Sequence, residues 1–95
     1  MAAGPEGPVE RAIVRAAERR GGWAPKAGQG IGGFPDRTLF MPGGRLALVE
    51  AKTPGEKPGP LQGWVHDRLR RLGFRVVVID RVEDVEPFFV EWLGE

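Results

Sequence analysis

Three side chains between residues 33 and 52 have the types and the spacing for metal-assisted hydrolysis: Asp36, Glu50 and Lys52. Magnesium and manganese ions prefer carboxylate and carbonyl oxygens, so Asp36, Glu50 and the backbone carbonyl of Ala51 can form a ligand set. The Lys52 ammonium can orient an attacking water or stabilise charge that grows on a phosphate. This combination predicts hydrolysis of phosphodiester bonds with Mg²⁺ or Mn²⁺ as the cofactor.

A β-hairpin is the element that must bring these groups together. Residues 37–41 and 45–51 are typical of strands, and the Pro-Gly-Gly segment 42–44 between them is typical of a turn. Because side chains alternate along a strand, Glu50 and Lys52 project to the same face. Asp36, at the start of the first strand, then lies opposite the end of the second. The continuous apolar centre of the second strand predicts burial on both faces.

The remaining pattern predicts an α/β domain with the element order α, β, β, β, α, β, α. Apolar residues at helical spacing begin at Val9 and stop at Gly21-Gly22. Further predicted elements are a short strand at 23–27, a helix at 61–72, a buried strand at 74–79 and a final helix, or turn and helix, within 80–93. The segment 1–8 is rich in glycine and proline and is expected to be flexible.

The aromatic residues of the last two helices have more than one interpretation. The helix at 61–72 has a predicted apolar face formed by Leu61, Trp64, Val65, Leu69 and Leu72. We therefore expect Trp64 in the core rather than as a platform for stacked bases, and His66 on the helix surface. The cluster of Phe88, Phe89 and Trp92 is expected to be buried either in the core or in a dimer interface.

Several motifs also allow simpler interpretations. Glu50 and Lys52 can form an ordinary surface pair, and Glu10 can be a carboxylate favoured by the helix dipole. Gly28, Gly30 and Gly33 spell the dinucleotide-binding fingerprint, with Glu50 about twenty positions later. That fingerprint requires a helix to begin inside the glycines. A strand-like run follows instead, so we expect a loop beside the active site.

Composition excludes several other classes of protein. The chain has 95 residues, which corresponds to a single domain, and its lack of cysteine excludes disulfides and thiolate metal sites. With His66 as the single histidine, a zinc site or a Ser-His-Asp triad is disfavoured. Its apolar runs are shorter than a membrane span, and the first residues lack the apolar core of a signal peptide. We therefore expect an intracellular, cytoplasmic protein.

Charge is distributed unevenly along the chain. Residues 80–95 carry a net charge of −5, whereas residues 1–79 carry +6. Arginines cluster at positions 11–20 and 68–71. A basic body is compatible with a polyanionic partner such as nucleic acid, although a solvated arginine-rich helix face is the simpler alternative.

The order of these motifs resembles that of the PD-(D/E)XK nuclease superfamily and, within it, the VRR-NUC domain. The matching segments are Glu10 in the first helix, residues 33–36, residues 49–53, Gln62 with Trp64, and residues 73–78. They extend from about residue 10 to residue 92, which is nearly the whole chain. The resemblance implies a restriction-endonuclease-like αβββαβ core with a C-terminal helix, in which helices flank a mixed sheet.

The same resemblance implies a role for each matching residue. Asp36 and Glu50 would be metal ligands, and Lys52 would be the catalytic lysine. Glu10 would approach the metal from the first helix, directly or through a water. Gln62 would shape the site or touch the scissile strand.

The activity implied by the resemblance is that of a homodimeric, metal-dependent endonuclease that cuts branched DNA of the Holliday-junction kind, inside a bacterial or phage-infected cell. The expected DNA contacts are Lys26, Arg37, Arg11, Arg15 and Arg68. A surface role is an equal alternative for Lys26. Two other functions remain open: a nicking or restriction-like nuclease with another DNA substrate, and a non-catalytic DNA-binding module.

Overall fold

The computed structural model describes residues 7–28 and 30–95, and these form three helices around a three-stranded sheet. The elements are α1 (Pro8–Arg19), β1 (Arg37–Met41), β2 (Arg45–Ala51), α2 (Pro60–Arg71), β3 (Arg75–Ile79), a 3₁₀ turn (Val82–Asp84) and α3 (Val85–Leu93). This confirms the predicted α/β class. The expected flexibility of segment 1–8 concerns mostly residues 1–6, which lie outside the described residues.

The sheet has β2 at its centre, antiparallel to β1 and parallel to β3. The hairpin register pairs Arg37 with Val49 and Met41 with Arg45. Gly43 and Gly44 both have positive φ, which allows the chain to reverse between the two strands. Both predicted hairpin strands are confirmed with their bounds, and residues 47–50 of β2 are buried as predicted.

The strand predicted at 23–27 is reduced to two isolated bridges along the outer edge of β1. Trp23 pairs with Phe40, and Lys26 pairs with Arg37. Pro25 lies between the two bridges and has no N–H to donate, so a continuous ladder cannot form there. Its carbonyl nevertheless accepts a hydrogen bond from the Thr38 N–H at 3.1 Å, so the segment stays against β1.

The core lies between the sheet and the pair of helices α1 and α3. Helix α1 buries Val9, Ile13, Ala16 and Ala17, which are the apolar positions at helical spacing. Phe89 of α3 is completely buried among them, and Phe88 and Trp92 pack half-buried against the same cluster. Of the two interpretations of this aromatic cluster, burial in the core is therefore correct.

Helix α2 packs on the opposite face of the sheet, with a rotation that the sequence did not predict. Val65 and His66 are buried, whereas Leu61, Trp64 and Leu72 are all more than half exposed. The predictions for Trp64 and His66 were therefore wrong. The side of α2 that carries Gln62, Val65, His66 and Leu69 faces the sheet because Gln62 is hydrogen-bonded to a buried carboxylate of β2.

None of the helices in the described ranges has the length and apolar character that would let it cross a membrane.

Arg20 connects the end of α1 to α3 through several contacts. Its guanidinium lies 4.9 Å from the centre of the Phe89 ring and donates to the Ala16 carbonyl at 3.1 Å. It also donates to the carboxylates of Glu86 at 2.9 Å and Glu95 at 2.7 Å. These bonds lower the pKa of both carboxyl groups below their ordinary value of 4.5.

We expect Arg20→Ala to lower the free energy of unfolding by about 1–2 kcal/mol, because it removes packing on Phe89 as well as the bonds. The control is Arg19→Ala, since Arg19 also pairs with Glu86 but is largely exposed, and it should have less effect. In the folded state, the pKa values of the Glu86 and Glu95 carboxyl groups are lowered. Their bonds to Arg20 therefore stabilise the fold above pH 4.5, and this stabilisation is lost as the pH falls through the lowered pKa values. Urea denaturation should therefore show a smaller difference between wild type and Arg20→Ala at pH 3 than at pH 7.

Candidate active site

A cleft of about 480 Å³ lies where the end of β2 meets the first turns of α1 and α2. Its walls include all five residues that the sequence assigned to catalysis: Glu10, Asp36, Glu50, Lys52 and Gln62. They come from four separate segments of the chain, so only the tertiary fold brings them together. Their chemical roles remain proposals, which we develop below.

Asp36 is held in place by the strand opposite it. Its Oδ2 accepts a hydrogen bond from the Ala51 N–H at 2.8 Å, and its backbone carbonyl accepts one from the Ala27 N–H at 3.0 Å. The preceding residue, Pro35, is fully buried. The sequence predicted that Asp36 would lie opposite the end of β2, and the structure places it there.

Glu50 is a buried carboxylate at the end of the central strand, with a side chain only 3% exposed. Its Oε2 accepts a hydrogen bond from Gln62 Nε2 at 2.9 Å and lies 3.5 Å from Lys52 Nζ. Burial, together with the negative charge of Asp36, raises the pKa of Glu50 to about 7. This pKa is raised even though the Lys52 ammonium is nearby, so a further positive charge would favour the ionised form at neutral pH.

One oxygen of this carboxylate has no hydrogen-bond partner among the described residues. Glu50 Oε1 is buried and faces His66 Nε2 at 3.7 Å, and that nitrogen also has no hydrogen-bond partner within the described part of the chain. Burial is the main cause that lowers the pKa of His66, so the ring favours its neutral form. A buried carboxylate oxygen without a donor is costly, and a cation bound there would offset that cost.

Lys52 contributes a largely buried ammonium to the same cleft. Its backbone N–H donates to the Ile79 carbonyl at 2.9 Å, which attaches it to β3 just beyond the end of β2. The side chain turns toward Glu50, as the alternation of the strand predicted.

Gln62 connects the start of α2 to Glu50. Its Oε1 accepts a hydrogen bond from the Gly59 N–H at 3.0 Å, while its Nε2 donates to Glu50. The first of these bonds satisfies one of the unpaired N–H groups at a helix N-terminus. The side chain therefore stabilises the helix start and orients the carboxylate at the same time.

Glu10 reaches the cleft but is already paired with a cation. Its Oε2 accepts a hydrogen bond from Arg37 Nε at 2.8 Å and lies 3.8 Å from Lys26 Nζ. Arg37 is buried, and its Nη1 also donates to the Ala24 carbonyl at 2.8 Å. The expected DNA contact by Arg37 does not agree with this burial, because the guanidinium is hydrogen-bonded to Glu10, which lines the cleft together with Asp36.

The other predicted DNA contacts lie on the surface. Lys26 is partly exposed beside Glu10, and Arg11 and Arg15 are exposed one turn apart on α1. Arg68 is exposed on α2, where its guanidinium lies 5.6 Å from the centre of the Trp64 ring. None of these three arginines lines the cleft.

The donor set of the cleft fits a magnesium or manganese ion. Across residues 7–28 and 30–95, no three His, Asp or Glu side chains form a ready-made metal-binding group. Asp36 and Glu50 are two carboxylates that line the same cleft. Mg²⁺ usually keeps several waters and binds through one or two carboxylates plus substrate phosphates. Such an ion would give the buried Glu50 oxygen a partner. Its positive charge would also favour the ionised form of this carboxyl group, whose pKa is raised.

The sequence predicted neither the burial of His66 beside Glu50 nor the hydrogen bond from Arg37 to Glu10. A signal for His66 was present, because it follows Gln62 by four residues and therefore lies on the same side of the helix. The placement of Gln62 against Glu50 implied the same direction for His66. No comparable local signal exists for Arg37, whose partner Glu10 is 27 residues away in the chain.

The loop before Asp36 provides a test of how the site is positioned. Gly33 has φ +79°, and an added Cβ would lie 2.8 Å from the Leu61 carbonyl oxygen. Gly30 has a similar φ of +83° but has open space around it. We expect Gly33→Ala to lower the free energy of unfolding by about 2–3 kcal/mol and Gly30→Ala by about 1 kcal/mol, as measured by urea denaturation. Equal losses would show that contact with Leu61 does not fix the loop.

Comparison with known proteins assigns the family. No family model matches the chain. It is 42% identical over 76 residues to "Putative nuclease p44" of Acyrthosiphon pisum secondary endosymbiont phage 1, which covers 79% of this chain and 82% of that protein. A solved structure described as a VRR_NUC domain is 32% identical, covers 94% of this chain and 97% of its own, and superimposes with a TM-score of 0.83. The chain therefore belongs to the VRR_NUC family of nucleases.

Proposed function

We propose that this nuclease is a metal-dependent endodeoxyribonuclease that hydrolyses phosphodiester bonds in branched DNA, such as a four-way junction. The observation that carries the proposal is the convergence of Asp36, Glu50 and Lys52 on one cleft, where a buried Glu50 oxygen has no partner within the described residues. The chemistry follows from this cleft. The preference for branched DNA rests on the resemblance to small phage-type members of the family.

Asp36 and Glu50 are the proposed ligands of Mg²⁺ or Mn²⁺, with the Ala51 carbonyl as a third oxygen and Glu10 as a ligand, directly or through a water. When bound, the ion would polarise the phosphate and lower the pKa of a water. The Ala51 N–H and Gln62 hold the two carboxylates in place, since each donates one hydrogen bond to them. Arg37 does the same for Glu10.

Lys52 is the proposed catalytic lysine. Its ammonium is next to Glu50 in a cleft that is partly closed to solvent, where a positive charge acts more strongly than in water. In the reaction, the water oxygen bonds to phosphorus and the bond from phosphorus to one bridging oxygen breaks. One proton of the water is released, and the leaving oxygen takes up a proton. Lys52 orients the water or stabilises the charge that develops on the phosphate.

The surface around the cleft supports DNA as the substrate. Lys26 lies beside Glu10, and Arg11 and Arg15 extend from the same helix that contributes Glu10. The net charge of +6 on residues 1–79 favours a polyanion. We propose that these three residues contact phosphates. Arg68, which lies beside Trp64 on α2, belongs instead to the dimer face proposed below. Because the relative named above is a phage protein, we also infer that this enzyme acts inside a phage-infected or bacterial cell.

We expect Asp36→Asn and Lys52→Met each to reduce cleavage of a labelled four-way junction by at least about 100-fold in Mg²⁺ or Mn²⁺. Asparagine keeps an acceptor for the Ala51 N–H but removes the negative charge, so the fold should be retained. Thermal melts of each variant check this point. The control is Glu83→Gln, which removes an exposed carboxylate outside the cleft and should leave the rate unchanged.

Two results would contradict the proposal. One is the absence of junction cleavage by the wild-type protein with either ion, and the other is full activity of Asp36→Asn. A DNA-binding module would bind DNA without cutting it. Mn²⁺ would then not raise the melting temperature of the wild type above that of Glu50→Gln.

We further propose that the enzyme is a homodimer formed through an exposed face of α2. Leu61, Trp64, Arg68 and Leu72 lie on one side of the helix, and their three apolar side chains are more than half exposed. Their spacing is nearly symmetric about the helix centre. Two copies of α2 that pack antiparallel would therefore place Leu61 of one copy against Leu72 of the other, and Trp64 against Arg68. Such self-complementarity is what a two-fold interface requires.

We expect Trp64→Glu to convert the dimer into a monomer in sedimentation-velocity experiments at micromolar concentration, because it places a charge in the apolar face. The matched control is Trp23→Glu. Trp23 is 64% exposed compared with 60% for Trp64, but it stacks on Phe40 at the edge of β1, away from α2. A monomeric wild type, or dissociation by the Trp23 variant alone, would contradict the proposed interface.

A further inference from the structure

We propose that the chain has a second DNA-binding site, an arginine-lined cavity that holds a single-stranded segment away from the catalytic cleft. The cavity measures about 610 Å³, and we call it the arginine cavity. Its main lining residues are Arg45, Arg70, Phe74, Arg75 and Trp92. The choice of DNA as the ligand rests on the function proposed above, whereas the cavity and its arginines are features of the structure.

The arginine cavity lies at the opposite end of the sheet from the cleft. Arg45 is the first residue of β2 and Arg75 is the first residue of β3, and these two strands run parallel. Glu50 is five residues after Arg45, so about 16–17 Å of extended strand separates the two sites. A ligand in the arginine cavity therefore cannot touch the catalytic residues.

Two of the three guanidinium groups are oriented by backbone carbonyls. Arg45 Nη1 donates to the Leu93 carbonyl at 2.9 Å, and Arg70 Nη2 donates to the Val76 carbonyl at 3.0 Å. A guanidinium has five N–H donors, so these bonds fix its direction and leave other donors available. The carboxylate of Asp67 lies 3.5 Å from Arg70 in an exposed pair that contributes little.

The side chain of Arg75 is exposed and has no hydrogen bond or ion pair with any other described residue. None of the residues that line the arginine cavity is acidic. Three positive charges therefore converge without a negative charge in the lining. Guanidinium groups bind phosphate oxygens in a bidentate manner, which gives such a group of arginines a strong preference for phosphates.

The aromatic residues indicate an unpaired strand rather than a duplex or a free phosphate. Phe74 is about half exposed at the rim, while Trp92 contributes part of the wall. An exposed ring such as Phe74 beside arginines is a surface on which an unpaired base can stack while the arginines neutralise the backbone. Because the chain is a nuclease, the polyanion it meets is nucleic acid. Flaps and other branched substrates with a single-stranded arm would supply such an unpaired segment.

The test is binding of a fluorescently labelled twelve-residue oligothymidylate, measured by anisotropy in EDTA so that nothing is cut. We expect the Arg45→Gln/Arg75→Gln double variant to bind about tenfold more weakly than wild type. The slope of its affinity against salt concentration should be shallower by about 0.7 for each phosphate that the variant no longer neutralises. The control is Arg71→Gln/Arg81→Gln, which removes two exposed arginines outside the arginine cavity and should bind within about twofold of wild type.

The double variant loses the bond from Arg45 to the Leu93 carbonyl, which could weaken the fold. The single variant Arg75→Gln avoids this problem. The Arg75 side chain has no such bond, so this variant should fold as the wild type does and still bind several-fold more weakly. Wild-type affinity and salt slope in Arg75→Gln and in the double variant would overturn the second site, as would an equal loss in the control.

Binding in EDTA is independent of catalysis, so the two proposals fail separately. Asp36→Asn should bind the oligothymidylate at least as tightly as wild type, because a negative charge has been removed. Wild-type binding by the arginine variants of a protein that cuts junctions would contradict only the second site. Weakened binding by those variants, in a protein that cuts no DNA, would contradict only the proposed catalytic function.

Discussion

Burial of the Glu50 carboxylate at the end of the central strand is the constraint on which the rest of the site depends. A carboxylate with a side chain 3% exposed is costly unless donors or cations surround it. Gln62 supplies one donor and Lys52 supplies the ammonium, and both positions follow from this need. The rotation of α2 that exposes Trp64 and buries His66 also follows, because Gln62 must face β2.

Strand β2 separates opposite charges at its two ends. Glu50 and the neighbouring Lys52 lie at the end that meets the helix starts, whereas Arg45 begins the strand beside Arg75. The apolar centre of the strand is buried on both faces and holds these groups at a fixed distance. The result is a short, rigid scaffold with the proposed catalytic groups at one end and the proposed anion-binding arginines at the other. In such an arrangement, substitutions at the arginine end can alter DNA affinity without altering the residues proposed for hydrolysis.

Most of the hairpin was predictable because the information that specifies it is local. A Pro-Gly-Gly turn fixes the register of the strands on either side, and alternation then fixes which side chains share a face. Asp36 and Glu50 were therefore placed correctly from spacing alone. The strand expected at 23–27 failed for a local reason too, since Pro25 cannot donate to a ladder. The presence of Pro25 in the sequence was enough to predict that limit.

By itself, the sequence determined the element order, the hairpin register and the residue types that the chemistry requires. Only the tertiary structure decided which side of α2 faces the sheet. The helix has apolar residues on more than one side, so its pattern does not show which side is buried. It also decided that Arg37 is buried against Glu10 rather than exposed to DNA. Pairs that are distant in sequence form when a buried charge needs a partner, and which partner is near depends on how the elements pack.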